Sequence, residues 1–178
     1  MRPFIHSFDT TLTSIITGWP TWLQSFFVAV TTLGSPMITL PIGFFVALAG
    51  YHFKNMRLIL SGIIVWATLG VGSLIKIAVA RERPATEYAA NIPLDTMSFP
   101  SGHSSGATIA YGLLAYIAWH MLPQPWNYVA SVFFALLIIA IGISRVYLGA
   151  HFPSDVIAGW LLGIVGLAII IFFVKPLA

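Results

Sequence analysis

Between Ser104 and Ser144 the chain carries no Asp, Glu, Lys or Arg. A run of that length suits hydrocarbon rather than water. The rest of the chain agrees with it. Its 178 residues are 58% hydrophobic and only 7% charged, with a mean hydropathy of +0.94. A soluble domain carries about 25% charged residues. The chain therefore reads as an integral membrane protein, and its length suits one domain over 1–178.

Composition also excludes several functions. Eight basic and five acidic residues make no nucleic-acid patch. With no cysteine there is no disulfide framework and no thiolate metal site. The N-terminal MRPFIHSFDTTLTS lacks a compact apolar run followed by a small-residue cleavage site, and does not read as a removed signal peptide.

A spanning helix needs about 20 apolar residues. Five stretches qualify, roughly 36–53, 56–79, 102–122, 126–146 and 154–174. Residues 4–34 are broken by Gly18, Pro20 and Gly34-Ser35-Pro36. They read as two short interfacial helices or one broken crossing. Trp19, Trp22, Trp119 and Trp126 suit the interface. The expected fold is all-α: a polytopic bundle of five to six spans with short N-terminal interfacial helices.

Lys54, Arg57 and Lys175 fall on one side by crossing parity, and that side reads as cytoplasmic. The opposite face gathers Lys76, Arg81, Glu82, Arg83, Glu87, Asp95, Arg145 and Asp155, eight of the thirteen charges. Arg81, Glu82, Glu87 and Asp95 read as a solvated loop. His103, Arg145, His151 and Asp155 fit that reading less well.

Three stretches carry the chemistry. In KIAVARERP, Lys76 nears a helix end and Arg83 follows, with Pro84 expected to stop the helix. Together the two cations suit an anion, although basic helix ends are common. In SFPSGHSSG, Ser101 is a plausible N-cap and Gly102 admits a ligand to the backbone. A helix start binds phosphate through its unpaired N–H groups, and His103 stands in that first turn. A capped helix with an interfacial histidine is the plainer alternative. In SRVYLGAHFPSD, Pro153 suits the first position of a new helix. His151 and Asp155 stand four apart, so the carboxylate can reach an imidazole nitrogen and leave the other a better nucleophile or base. Helix-dipole pairing of Asp155 and a snorkelling Arg145 compete with this reading, residue by residue. Two histidines and Asp155 could ligate a metal, but Lys76, Arg83 and Arg145 at the same place favour an oxyanion.

Taken jointly, Lys76…Arg83-Pro84, Pro100-Ser101-Gly102-His103 and Ser144-Arg145…His151…Asp155 resemble the type 2 phosphatidic acid phosphatase (PAP2) family. Its pattern is KxxxxxxRP, PSGH and SRxxxxxHxxxD, and all three motifs are complete. The resemblance implies a nucleophile at His151, an orienting carboxylate at Asp155 and a general acid at His103. It implies a phosphate cradle from Lys76, Arg83, Ser101, Gly102 and Arg145, with no metal and no cofactor. Family members commonly have six spans, so the broken N-terminal region is a departure.

The implied activity removes a terminal phosphate from a lipid mono- or diphosphate: undecaprenyl diphosphate, phosphatidylglycerophosphate, phosphatidic acid or diacylglycerol pyrophosphate. The expected setting is a bacterial inner membrane, with the site on the non-cytoplasmic face. Expected partners are membrane lipids and not nucleic acid, and the oligomeric state stays open. A phosphotransferase using the same histidine is the second reading, and a non-enzymatic transporter the third. Gly159 and Gly163, at GxxxG spacing, mark close packing within the bundle or a dimer seam.

Overall fold

The computed structural model describes residues 3–91 and 97–175. Asp95 lies outside them. The order is α1 (Pro3–Thr17), a 3-10 turn (Thr21–Leu23), α2 (Gln24–Leu33), α3 (Pro36–His52), α4 (Met56–Val79), α5 (Glu87–Ala90), α6 (Gly102–Met121), α7 (Trp126–Tyr147) and α8 (Pro153–Ile169), closing in a π-turn at Ile170–Val174. The described residues hold no strand, as an all-α chain requires.

Among the described residues, four helical stretches are long and apolar enough to cross a membrane: Thr21–His52, Met56–Val79, Trp126–Tyr147 and Pro153–Val174. The first joins α2 to α3 through the break at Gly34-Ser35. Residues 4–34 thus form two short helices, α1 and α2, and α2 with the turn before it lies against the end of α7 through Tyr147 on Pro20 and Arg145 on Thr31. α1 stands apart as a 15-residue helix, short of the ~20 needed to span. It turns Asp9, Leu12, Thr13 and Ile16 inward and leaves most other side chains outside. That spacing is one face of a helix, and it packs on α7 and α8.

α6 is long enough to cross but carries Ser104, Ser105, Gly106 and Thr108, all buried, near its start. It is the interior helix, packed against α3, α4, α7 and α8. Protein rather than lipid surrounds it, so small polar groups do not face hydrocarbon. α6 and α7 form a hairpin across Leu122–Pro125, so α6 crosses wherever α7 does.

The α6/α8 seam is glycine-lined. A Cβ at Gly159 would sit 2.6 Å from the Ser101 carbonyl, and one at Gly163 would sit 2.5 Å from Cβ of Thr108. Neither space exists for a larger residue, and the GxxxG spacing serves packing within the bundle. α4 ends before Pro84: Ala80 turns left-handed (φ 48°) and gives its N–H to Lys76 O. The expected proline stop is thus displaced by an αL cap four residues earlier.

Candidate active site

The end of α4, the start of α6, the end of α7 and the start of α8 meet at one end of the bundle. They carry Lys76, His103, Arg145 and Asp155 there, with Arg83 and His151 on the intervening loops. The three motifs therefore converge although about 80 residues separate their ends.

Ser101 caps α6 as expected. Its hydroxyl accepts from the Ser104 N–H at 3.3 Å and from the Ser104 hydroxyl at 2.9 Å. Its own N–H goes to the Asp155 carbonyl at 2.9 Å, tying α6 to α8. Among the described residues, the N–H groups of Gly102 and His103 find no acceptor. The space beside Gly102 is open. An unpaired, unobstructed helix start is a ready anion site.

His151 is buried in the loop between α7 and α8. Arg83 Nη1 donates to His151 Nε2 at 3.2 Å and to the Ala150 carbonyl at 2.9 Å. Arginine has no acceptor atom. Nε2 must then present its lone pair, and the ring proton of the neutral form sits on Nδ1. Nδ1 faces Asp155 Oδ2 at 3.6 Å, longer than a hydrogen bond. It has no other partner.

Asp155 is fixed instead by other donors. Its Oδ2 accepts from the Ser98 hydroxyl and, at 2.9 Å, from the Phe152 N–H. Its Oδ1 accepts from Arg81 at 2.6 Å.

Arg145 is buried and donates to Thr31 Oγ1 at 2.6 Å, with Tyr88 Oη at the 3.5 Å limit. Its Nε has no acceptor. Lys76 Nζ donates to the Met97 carbonyl at 2.7 Å. Gly149, at φ +71°, turns the chain from α7 toward His151. Its carbonyl accepts from Thr86 at 2.8 Å, and a Cβ there would strike the same threonine.

Burial pushes the His151 imidazole down to about 4 from an ordinary 6.5. Asp155 pulls it up, while Arg145, Arg83 and Lys76 push it further down. The unfolded chain therefore binds a proton that the folded one refuses. Stability is expected to fall as pH drops from about 6.5 toward 4, by at most ~1.4 kcal/mol per pH unit from this one group. Thermal melting in detergent across that window checks it, because His151→Ala should remove that part of the slope.

Arg81 corrects the sequence reading. It is no solvated loop residue but bridges Asp155 and Asp9, at 2.6 and 2.7 Å. Glu82 and Glu87 are exposed, as expected of a loop. The motifs do not reveal Asp9, Arg81, Thr31 or Tyr88. Asp9 had one visible signal. It is the only acid before Glu82, in an apolar segment where a carboxylate needs a partner.

The comparisons with known proteins bear on the family and the fold. The model of the PAP2 superfamily matches residues 55–177. Phosphatidylglycerophosphatase B of Bacillus subtilis is 32% identical over 147 residues, which is 80% of this chain and 71% of that protein. An undecaprenyl-diphosphatase of Sulfolobus acidocaldarius is 31% identical over 118 residues, 62% of this chain and 53% of that one. The crystal structure of a transmembrane PAP2-type phosphatidylglycerolphosphate phosphatase from Bacillus subtilis superposes with a TM-score of 0.83 at 25% identity, covering 99% of this chain and 89% of that one. Motifs, fold and relatives point one way, and this integral membrane protein belongs to the PAP2 superfamily.

Proposed function

We propose that the chain is a lipid phosphate phosphatase that works through a phosphohistidine. The observation that carries this reading is Arg83 lying on Nε2 of His151. A phosphate that takes over Arg83 arrives with its phosphorus beside the lone pair that would attack it. Lys76, Arg83, Arg145 and the N–H of Gly102, with Ser101 capping the helix beneath, neutralise the phosphate oxygens. His151 Nε2 forms the bond to phosphorus as the bond to the lipid oxygen breaks. His103 gives that oxygen its proton. Asp155 balances the charge that grows on the ring. Water then attacks phosphorus, yields a proton to His103 and releases phosphate as the P–N bond breaks. Three cations around the site repel a divalent ion, which favours a metal-independent reaction.

A lipid substrate is supported by a groove of about 360 Å³ beside α3 and α4, lined by Pro36, Leu40, Trp66 and Leu69, and by Lys76 and Gly102. An acyl or prenyl chain would lie along its apolar wall with the phosphate at the α6 start. Relatives named for phosphatidylglycerophosphate and undecaprenyl diphosphate mark the two substrate classes to try first. Arg57 donates to the Lys175 carbonyl at 3.2 Å, so these residues share one end of the bundle. With Lys54 beside them, that end fits the cytoplasmic side, and the site then opens on the other face.

The test is phosphate release from a panel of lipid mono- and diphosphates in detergent with EDTA. Release that EDTA leaves intact is expected. A strict need for a divalent ion would overturn the mechanism. Substrate loss well above phosphate release would turn the reading toward transfer onto a hydroxyl.

A further inference from the structure

One guanidinium holds two buried carboxylates from opposite ends of the sequence. Arg81 Nη1 reaches Asp155 Oδ1 at 2.6 Å and Ser154 Oγ at 2.7 Å, while Nη2 reaches Asp9 Oδ2 at 2.7 Å. Asp9 in turn accepts from the Ser154 N–H at 2.9 Å and its hydroxyl at 2.8 Å. The guanidinium is also stacked on the Phe152 ring, 4.3 Å from its centre. Both carboxylates are essentially inaccessible, at 2% and 0% side-chain exposure. Without Arg81 they would be two uncompensated buried anions. With it, the trio keeps one negative charge, on the side that His151 faces.

The geometry also fixes direction. Arg81 clamps Oδ1, Ser98 and the Phe152 N–H clamp Oδ2, and the carboxylate plane cannot turn. Oδ2 is thereby held 3.6 Å from Nδ1 of His151. Contacts of this kind tighten when substrate binds, and a short approach would make it a hydrogen bond. Asp9 lies on α1, outside the residues 55–177 that the family model matches.

We infer that Arg81 and Asp9 are positioning residues for phosphoryl transfer, Asp9 holding Arg81, Arg81 holding Asp155, and Asp155 holding His151. The inference rests on the reading of His151 as nucleophile given above. It makes α1 a working part of the site rather than an outer ornament.

The test uses the full chain in detergent and a lipid phosphate that the wild type hydrolyses. In Arg81→Gln, kcat is expected to fall about 100-fold, the scale of a displaced catalytic group, with KM nearly unchanged. Arg81→Lys should recover part of the loss. Asp9→Asn should lower kcat about 10-fold by the same displacement. The double variant Arg81→Gln/Asp155→Asn should be no slower than Asp155→Asn alone, because residues acting as one unit are not additive. Multiplying losses, or a raised KM with kcat intact, would overturn the inference in favour of a separate structural or phosphate-binding role. If Arg81→Gln does not fold, wild-type kcat in both Arg81→Lys and Asp9→Asn overturns it equally. A wild type that hydrolyses no lipid phosphate overturns the function reading, and this inference with it. An active, His151-dependent wild type beside fully active Asp9→Asn and Arg81→Lys overturns the inference alone.

Discussion

His151→Ala is expected to release no phosphate above background, a loss of about 10⁴-fold or more, as when a nucleophile that works in a unit is removed. The size follows from the geometry. Nε2 is the lone pair that Arg83 holds at 3.2 Å, on the ring beside the proposed phosphate cradle. His151 donates nothing to the described residues through Nδ1, so its removal leaves no broken hydrogen bond there. The variant should therefore stay folded. Monodispersity in detergent and a melting curve beside the activity assay check this. Equal release by wild type and His151→Ala would displace His151 as nucleophile.

Arg145→Lys is expected to lower kcat about 10²- to 10³-fold, the range for losing one preorganised donor to a developing oxyanion. Charge is conserved in this exchange, so the loss measures geometry. Arg145 is anchored by Thr31 and leaves Nε without an acceptor in a buried place. An unmet buried donor is costly, and a bound phosphate oxygen would satisfy it. Lysine has no fork and cannot hold Thr31 while pointing at phosphate. The independent measurement is inhibition by inorganic phosphate, which should weaken in Arg145→Lys. Unaltered kcat and unaltered inhibition together would place Arg145 in packing only. Thr31→Val separates the anchor from the ligand, with a smaller fall in kcat and the charge still present.

The sequence made the helices legible because they need only length and apolar composition. α3, α4, α6, α7 and α8 all lie close to the expected stretches. The motif residues were legible because few charges interrupt the chain, so a cation, an imidazole and a carboxylate stand out. What sequence could not supply was pairing across distance. Arg81 sits two residues before Arg83 in an apparently polar loop, and only the fold brings Asp9 to it. Thr31 reads as one more threonine in an apolar segment until α2 packs on α7. The stretch around Gly34-Ser35 was ambiguous for a related reason. Whether α2 continues into α3 or lies flat depends on what each packs against, not on local propensity.

The interior position of α6 bears on how the protein is made. A segment enters the bilayer from the translocon by weighing its own side chains against lipid, and serine, threonine and glycine weigh poorly there. α6 starts at the Ser101 cap and holds ten buried residues, several of them polar. Its favourable surroundings are the flanks of α4, α7 and α8, two of which are synthesised after it. α6 therefore gains its place by company rather than by partition, and the site can exist only once the last helix has emerged and closed against it.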